Sequence, residues 1–206
     1  MSTQPVAYLT VEQYLEIERM AEFRSEYING EMFAMAGATR NHGKIAAHTL
    51  TKLIEQLSGR PCDATGSDTR VYSLQYSVLT YPDVVVTCGP DKLLDAQRDT
   101  LIDATVIVEV LSPSTKAYDR GEKFRIYRSL PSFSDYLLLA QDEIRAEHYA
   151  RQADTSWLFR EFTDSASEIE LNSIGCRLHL QSLYKRVEFE RKPEPGNAAA
   201  GPFSHI

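Results

Sequence analysis

Two apolar, β-branched runs in this chain each carry one carboxylate that a buried strand has no structural reason to hold. The first is Tyr81-Pro82-Asp83-Val84-Val85-Val86; the second is Thr105-Val106-Ile107-Val108-Glu109-Val110-Leu111. A short run of Val and Ile without alternation marks a strand buried on both faces. An unpaired ion in such a strand costs several kcal/mol even after relaxation, and a bound cation offsets that cost. If the two strands are neighbours, directly opposed side chains lie about 5 Å apart at Cβ, close enough for Asp83 and Glu109 to share one divalent ion.

A third group follows shortly after. Lys123, Ile126, Tyr127 and Leu130 fall at i, i+3, i+4 and i+7, so a helix over 119–130 places them on one face. That face opens with a lysine just downstream of the strand bearing Glu109. Two carboxylates, a metal ion and a lysine are the parts needed to hydrolyse a phosphodiester. The cation binds a phosphate oxygen and lowers the pKa of its water; the lysine orients that water and balances charge in the transition state. Each piece also has a structural alternative. Asp83 can simply start a strand, Lys123 can snorkel at the rim of the apolar stripe, and Glu26, ahead of a hairpin, can assist a metal or face water.

The elements that must position these groups are legible in outline. Thr10 to Gln13 reads as a capping box opening a helix. Asn29-Gly30, between Glu26-Tyr27-Ile28 and Glu31-Met32-Phe33-Ala34-Met35, is a hairpin signal, because both turn residues must tolerate positive φ. Ala46, Thr49, Leu50, Leu53, Ile54 and Leu57 recur at helical spacing over 40–57, closed by Ser58-Gly59. Strands are expected over 69–74, 77–80, 83–87 and 104–111, with a polar loop over 89–100. Asp119-Arg120-Gly121-Glu122 caps the third helix, which Pro131 stops. A meander of strands follows over 136–140, 145–150, 157–162 and 168–171, in which Tyr149, Trp157 and Phe159 read as core. This order predicts an α/β (α+β) fold with a mixed central β-sheet flanked by helices.

The 206 residues, with 43% hydrophobic and 25% charged content, predict one domain over 1–190 and a disordered tail over 191–206. No apolar run approaches the roughly 18 residues of a membrane span, and the first residues lack the pattern of a signal peptide. Cys62, Cys88 and Cys176 are scattered, which argues against a disulfide framework or structural zinc and for a reducing, cytoplasmic setting. A net charge of −7 counts against a nucleic-acid coat or a polybasic membrane binder. It leaves room for a local basic patch. Lys116, Arg120, Lys123, Arg125 and Arg128 against Asp119 and Glu122 give net +3, either a phosphate-contacting patch or a solvated helix face. Arg70 can reach a phosphate or pair with Asp68. His42 can line the cleft or serve structure.

Taken in order, these motifs resemble the Uma-type restriction endonuclease family of the PD-(D/E)xK nuclease superfamily. They are Glu26-Tyr27-Ile28-Asn29-Gly30-Glu31, His42, Tyr81-Pro82-Asp83-Val84-Val85-Val86, Val108-Glu109-Val110-Leu111-Ser112-Pro113-Ser114-Thr115, and Asp119 with Lys123 and Tyr127. The resemblance runs from Thr10 to Leu183. It implies a restriction-endonuclease-like core and cleavage of DNA with Mg²⁺, for which Mn²⁺ substitutes. It makes Asp83 and Glu109 the metal ligands, with the Val110 backbone carbonyl as a further one. Superfamily enzymes often dimerise to cut both strands, so the resemblance is compatible with a homodimer, which the sequence itself does not show. The superfamily lysine stands two residues after the acid, a position that is Leu111 here. The resemblance therefore moves its role to Lys123, with Lys116 as the fallback and Glu26 assisting. Two rivals stand beside this reading: a catalytically inactive nuclease-like module that binds nucleic acid or protein, and a metal-free hydrolase using the carboxylate pair as glycosidases do.

Overall fold

A computed structural model describes residues 8–189, so the tail expected over 191–206 lies outside the described residues. Two mixed sheets form the frame. The larger has six strands in the order β11-β10-β9-β8-β6-β3, and the smaller has five in the order β2-β1-β5-β4-β7. The strands of the larger are β3 (Cys62–Gly66), β6 (Val84–Cys88), β8 (Val106–Leu111), β9 (Asp135–Ala140), β10 (Ala146–Arg151) and β11 (Trp157–Phe162). Those of the smaller are β1 (Ser25–Ile28), β2 (Glu31–Ala34), β4 (Arg70–Ser73), β5 (Val78–Thr80) and β7 (Thr100–Leu101). A separate hairpin pairs β12 (Glu168–Leu171) with β13 (Cys176–His179).

β6 and β8 are adjacent and antiparallel, with Val84 opposite Val108 and Val86 opposite Val106. Both are buried on the two faces, as their unalternating sequences require. One face carries Val84, Val86, Val106, Val108 and Val110 against Ile45, Leu53 and Leu57 of helix α2 (Arg40–Leu57). The other carries Val85, Ile107 and Leu111 against Ile126, Tyr127 and Leu130 of the helix that follows β8. β8 and β9 run parallel, and that helix is the crossover between them, as a parallel pair demands.

The hairpin forms as expected: Asn29 and Gly30 both have positive φ, 49° and 99°, and β1 pairs with β2 from Ser25–Ala34 to Ile28–Glu31. Gly30 is doubly required, because a Cβ there would lie 2.7 Å from the Tyr8 ring. Helix α1 (Val11–Glu18) begins at the Thr10 capping box.

Several expectations are corrected. The crossover helix starts at Lys116, not Asp119: an α turn at Lys116–Tyr118 leads into a π turn at Asp119–Lys123 and an α turn at Phe124–Tyr127. Asp119 therefore sits inside the helix and does not cap it. β3, β7 and β13 were not expected. On α2, Ile45 is fully buried, whereas Ile54 is 48% exposed and Phe159 of β11 is 50% exposed, because each occupies the solvent side of its element. Cys62 and Cys88 are joined by a disulfide. They are directly opposed in the β3–β6 register, a tertiary proximity that their spacing in sequence does not disclose. The argument from scattered cysteines to a reducing compartment falls with it. Among the described residues, no helix is long and apolar enough to cross a membrane.

Candidate active site

β5 belongs to the small sheet and β6 to the large one, and only Tyr81-Pro82-Asp83 separates them. Asp83 thus lies at the corner where the sheets meet. Continuing the β6–β8 register by one step sets it opposite Glu109. Its Oδ2 accepts the Val110 backbone N–H at 2.7 Å and lies 3.3 Å from His42 Nε2, in the first turn of α2. Glu109 shares its face of β8 with Ile107 and Leu111, toward the crossover helix, and is 4% exposed.

Lys123 meets it there. The ammonium lies 3.1 Å from Glu109 Oε1, 3.2 Å from Glu26 Oε1 and 3.4 Å from Asp119 Oδ1, and the lysine is only 6% exposed. Tyr127, one turn on, donates its hydroxyl to Glu109 Oε1 at 2.8 Å and accepts from Thr80 Oγ1 at 2.9 Å. Tyr136 of β9 donates to the Asp119 carbonyl at 3.0 Å. Glu26 arrives from β1, the neighbour of β5. Its Oε1 is buried and, although within ion-pair range of Lys123, has no hydrogen-bond partner.

The charges are unequal. Three carboxylates, Glu26, Glu109 and Asp119, surround one lysine, and a fourth, Asp83, stands opposite Glu109 with His42 beside it. Burial is the largest influence on Glu109 and pushes its pKa from the ordinary 4.5 up to about 8. Asp119 and Asp83 push the same way, while Lys123 and the Tyr127 hydroxyl oppose them. Burial by itself would lower Lys123, but Glu109, Glu26 and Asp119 outweigh it and hold the ammonium well above its usual range. Lys123 is therefore held as a charged hydrogen-bond donor. Burial, helped by Glu26, pushes the Tyr118 phenol up to about 12.

The donor set suits a hard cation in type and in sign. Among the described residues, no three His, Cys, Asp or Glu side chains converge as a ready metal cage. Mg²⁺ does not require one, because it keeps several waters and takes one or two carboxylates plus substrate oxygens. The opposed Asp83 and Glu109, the surplus negative charge and the orphaned Glu26 oxygen all fit such an ion.

The structure thus gathers Asp83, Glu109, Lys123 and Glu26, the four residues singled out in the sequence. Lys116 is exposed at the helix start, and Leu111 is buried in the core. The basic residues over 116–128 divide: Lys123 turns inward, Arg120 forms a bidentate pair with Glu147, Arg125 pairs with Glu122, and Arg125 and Arg128 face outward. Arg70 is buried and pairs with Asp99, while Asp68 pairs with Arg24. As groups packed around Glu109, Lys123 and Tyr127, Asp119, Thr80, Tyr118 and Tyr136 escaped sequence reasoning. Asp119 alone carried a signal, being one helical turn before Lys123.

The fold is a mixed α/β fold built on two mixed sheets. It superposes with a TM-score of 0.70 on the crystal structure of "a putative nuclease belonging to DUF820" from Anabaena variabilis, covering 85% of this chain and 97% of that one. At 17% identity that likeness concerns the fold. The model of the family described as "Uma2: Putative restriction endonuclease" matches residues 11–181, and the chain belongs to that family. Two Synechocystis proteins are similar along nearly their whole length. The uncharacterized protein slr1290 is 35% identical over 185 residues, 90% of this chain and 96% of its own. The uncharacterized protein sll1609 is 34% identical over 164 residues, 80% of this chain and 93% of its own.

Proposed function

We propose that this chain is a Mg²⁺-dependent endonuclease that hydrolyses phosphodiester bonds of DNA, with residues 1–190 acting as one catalytic unit. The observation that carries this reading is the opposition of Asp83 and Glu109 with the Lys123 ammonium 3.1 Å from Glu109. Asp83, Glu109 and the Val110 carbonyl are the proposed metal ligands. The ion, when bound, supplies a Lewis acid for a phosphate oxygen and an acidified water.

The chain's own groups do the rest. The Val110 N–H fixes the Asp83 carboxylate, and the Tyr127 hydroxyl fixes that of Glu109. Lys123, held charged, orients the attacking water and stabilises negative charge developing on phosphate. Glu26 has the one carboxylate oxygen of the group that is buried without a hydrogen-bond partner, which suits it to accept the water's proton. A homodimer would present one such centre to each strand of a duplex.

One observation favours the rival, non-catalytic module: Lys123 is already ringed by three carboxylates, a self-contained ion network. Calorimetric titration of Mn²⁺ into the metal-stripped protein and into Asp83→Asn, each with a short duplex present, separates the two. Saturable binding that Asp83→Asn abolishes supports the nuclease. No binding to either protein overturns it in favour of the module.

A further inference from the structure

On the outer side of the crossover helix lies a second cleft, of about 270 Å³. Lys123 and Tyr127 face inward to Glu109; Arg125 and Arg128 face outward and line this cleft. They are joined by Arg151 of β10, Tyr76 of the β4–β5 turn, Ser129 and Trp157 of β11. Among the described residues, no carboxylate lines it. Three guanidiniums around one hollow are uncommon in a chain of net charge −7, and they repel one another unless an anion sits among them.

Their tethers are suggestive. Arg125 lies over the Tyr76 ring, 4.1 Å from its centroid, and pairs with Glu122 outside the cleft. Arg128 lies over Phe124 at 4.9 Å and has no carboxylate partner among the described residues. The Arg151 guanidinium donates to the Pro131 and Phe133 carbonyls, at 3.3 and 3.5 Å, and has no carboxylate partner among the described residues. Two of the three charges are thus oriented but not neutralised. Trp157 is half-buried, wedged edge-on against Phe124 and tilted on Phe133, which fixes the plane of its indole at the cleft wall. Arginines that grip phosphate beside fixed aromatic rings are the features by which proteins hold single-stranded nucleic acid: bases stack on the rings and the backbone follows the charge.

We infer that this cleft binds an unpaired nucleotide of a nucleic-acid strand, its phosphate between Arg128 and Arg151 and its base against Trp157 or the Arg125–Tyr76 stack. The inference shares the nucleic-acid substrate with the nuclease reading but none of its metal chemistry. The small volume suits one nucleotide unit and falls below the roughly 300–1,000 Å³ of drug-sized ligand pockets.

Trp157 is the single tryptophan of the chain, so its emission reports this cleft alone. A short oligothymidylate is titrated into metal-stripped protein in EDTA, where no cleavage occurs, with a blunt duplex and inorganic phosphate as comparators. Saturable quenching by the oligonucleotide, weakened by salt and stronger than that by duplex or phosphate, is expected. Arg128→Ala with Arg151→Ala, both exposed positions, should weaken binding at least about tenfold. Trp157→Ala, followed by anisotropy of labelled oligonucleotide, should weaken it about tenfold, within the range for one stacked base. Arg177→Ala, on the distant β13, should bind as the unaltered protein does. Absence of quenching, unaltered affinity in the double arginine variant, or phosphate binding as tightly as the oligonucleotide each overturns the assignment. Cleavage in Mg²⁺ without quenching removes this cleft and leaves the nuclease reading; quenching without cleavage does the reverse.

Discussion

Replacing Lys123 with methionine keeps most of the side chain's bulk and removes its charge. At an effective dielectric constant near 20, a pair at 3.1 Å attracts by about 5 kcal/mol. The contacts at 3.2 and 3.4 Å to Glu26 and Asp119 are each nearly as strong. Desolvation of the ammonium offsets most of this sum, so the net loss should resemble that for breaking a buried pair, about 3–5 kcal/mol. Glu109 can relieve part of the penalty by taking a proton, since its pKa already stands at about 8. The loss should therefore be smaller at pH 5 than at pH 8. For a chain of this size it corresponds to a fall in Tm of roughly 6–20 °C. Urea unfolding should show a lower midpoint at unchanged slope. Glu109→Gln in the same background should restore about 1–3 kcal/mol, the coupling expected of side chains in contact. A Lys123→Met protein melting within about 2 °C of the parent at both pH values would refute the charge arrangement described here.

Three further outcomes are expected. Asp83→Asn should remain folded and lose cleavage by at least about 100-fold, measured on supercoiled plasmid in Mg²⁺, because it removes a carboxylate from the proposed metal pair. Glu109 has a folded pKa raised above its ordinary value, so its contribution to stability is complete below about pH 4.5 and is lost as pH rises through about 8; thermal melts in EDTA should show that decline, and Mg²⁺ should reverse it. Gly30→Ala should lower stability by about 1–2 kcal/mol in urea melts, since it combines a positive φ with a Cβ against Tyr8; a neutral result would mean that the Tyr8 packing yields freely.

Asp83 and Glu109 were legible because a carboxylate in an unalternating apolar run breaks the local pattern, and the run itself announces a strand buried on both faces. Asn29-Gly30 and the Thr10 cap were legible because their signals are local, decided by backbone conformation within four residues. What escaped was set by register or by distant partners. The Cys62–Cys88 bridge depends on how β3 slides along β6. Arg70 pairs with Asp99 because β7 lies beside β4, with Arg70 opposite Thr100, and no pattern in either segment encodes that contact. Asp119 looked like a helix cap because the turn ahead of it, beginning at Lys116, lacks an apolar stripe. The basic residues over 116–128 do not share one face, since the fold turns Lys123 inward, pairs Arg120 with Glu147 and leaves Arg125 and Arg128 facing outward.

The π turn at Asp119–Lys123 works as a phase corrector. In an uninterrupted α-helix, groups four residues apart overshoot a full turn by about 40°, so three of them would fan over roughly 80°. Widening the first of the two intervals by π bonding takes back much of that drift. Asp119, Lys123 and Tyr127 can then all engage the same small region around Glu109. The segment's length, as much as its charges, is thus under constraint. Deleting Gly121, whose position has open space around it, would remove no charged or hydrogen-bonding side chain, yet it would restore the α phase and swing Asp119 out of line with Lys123 and Tyr127.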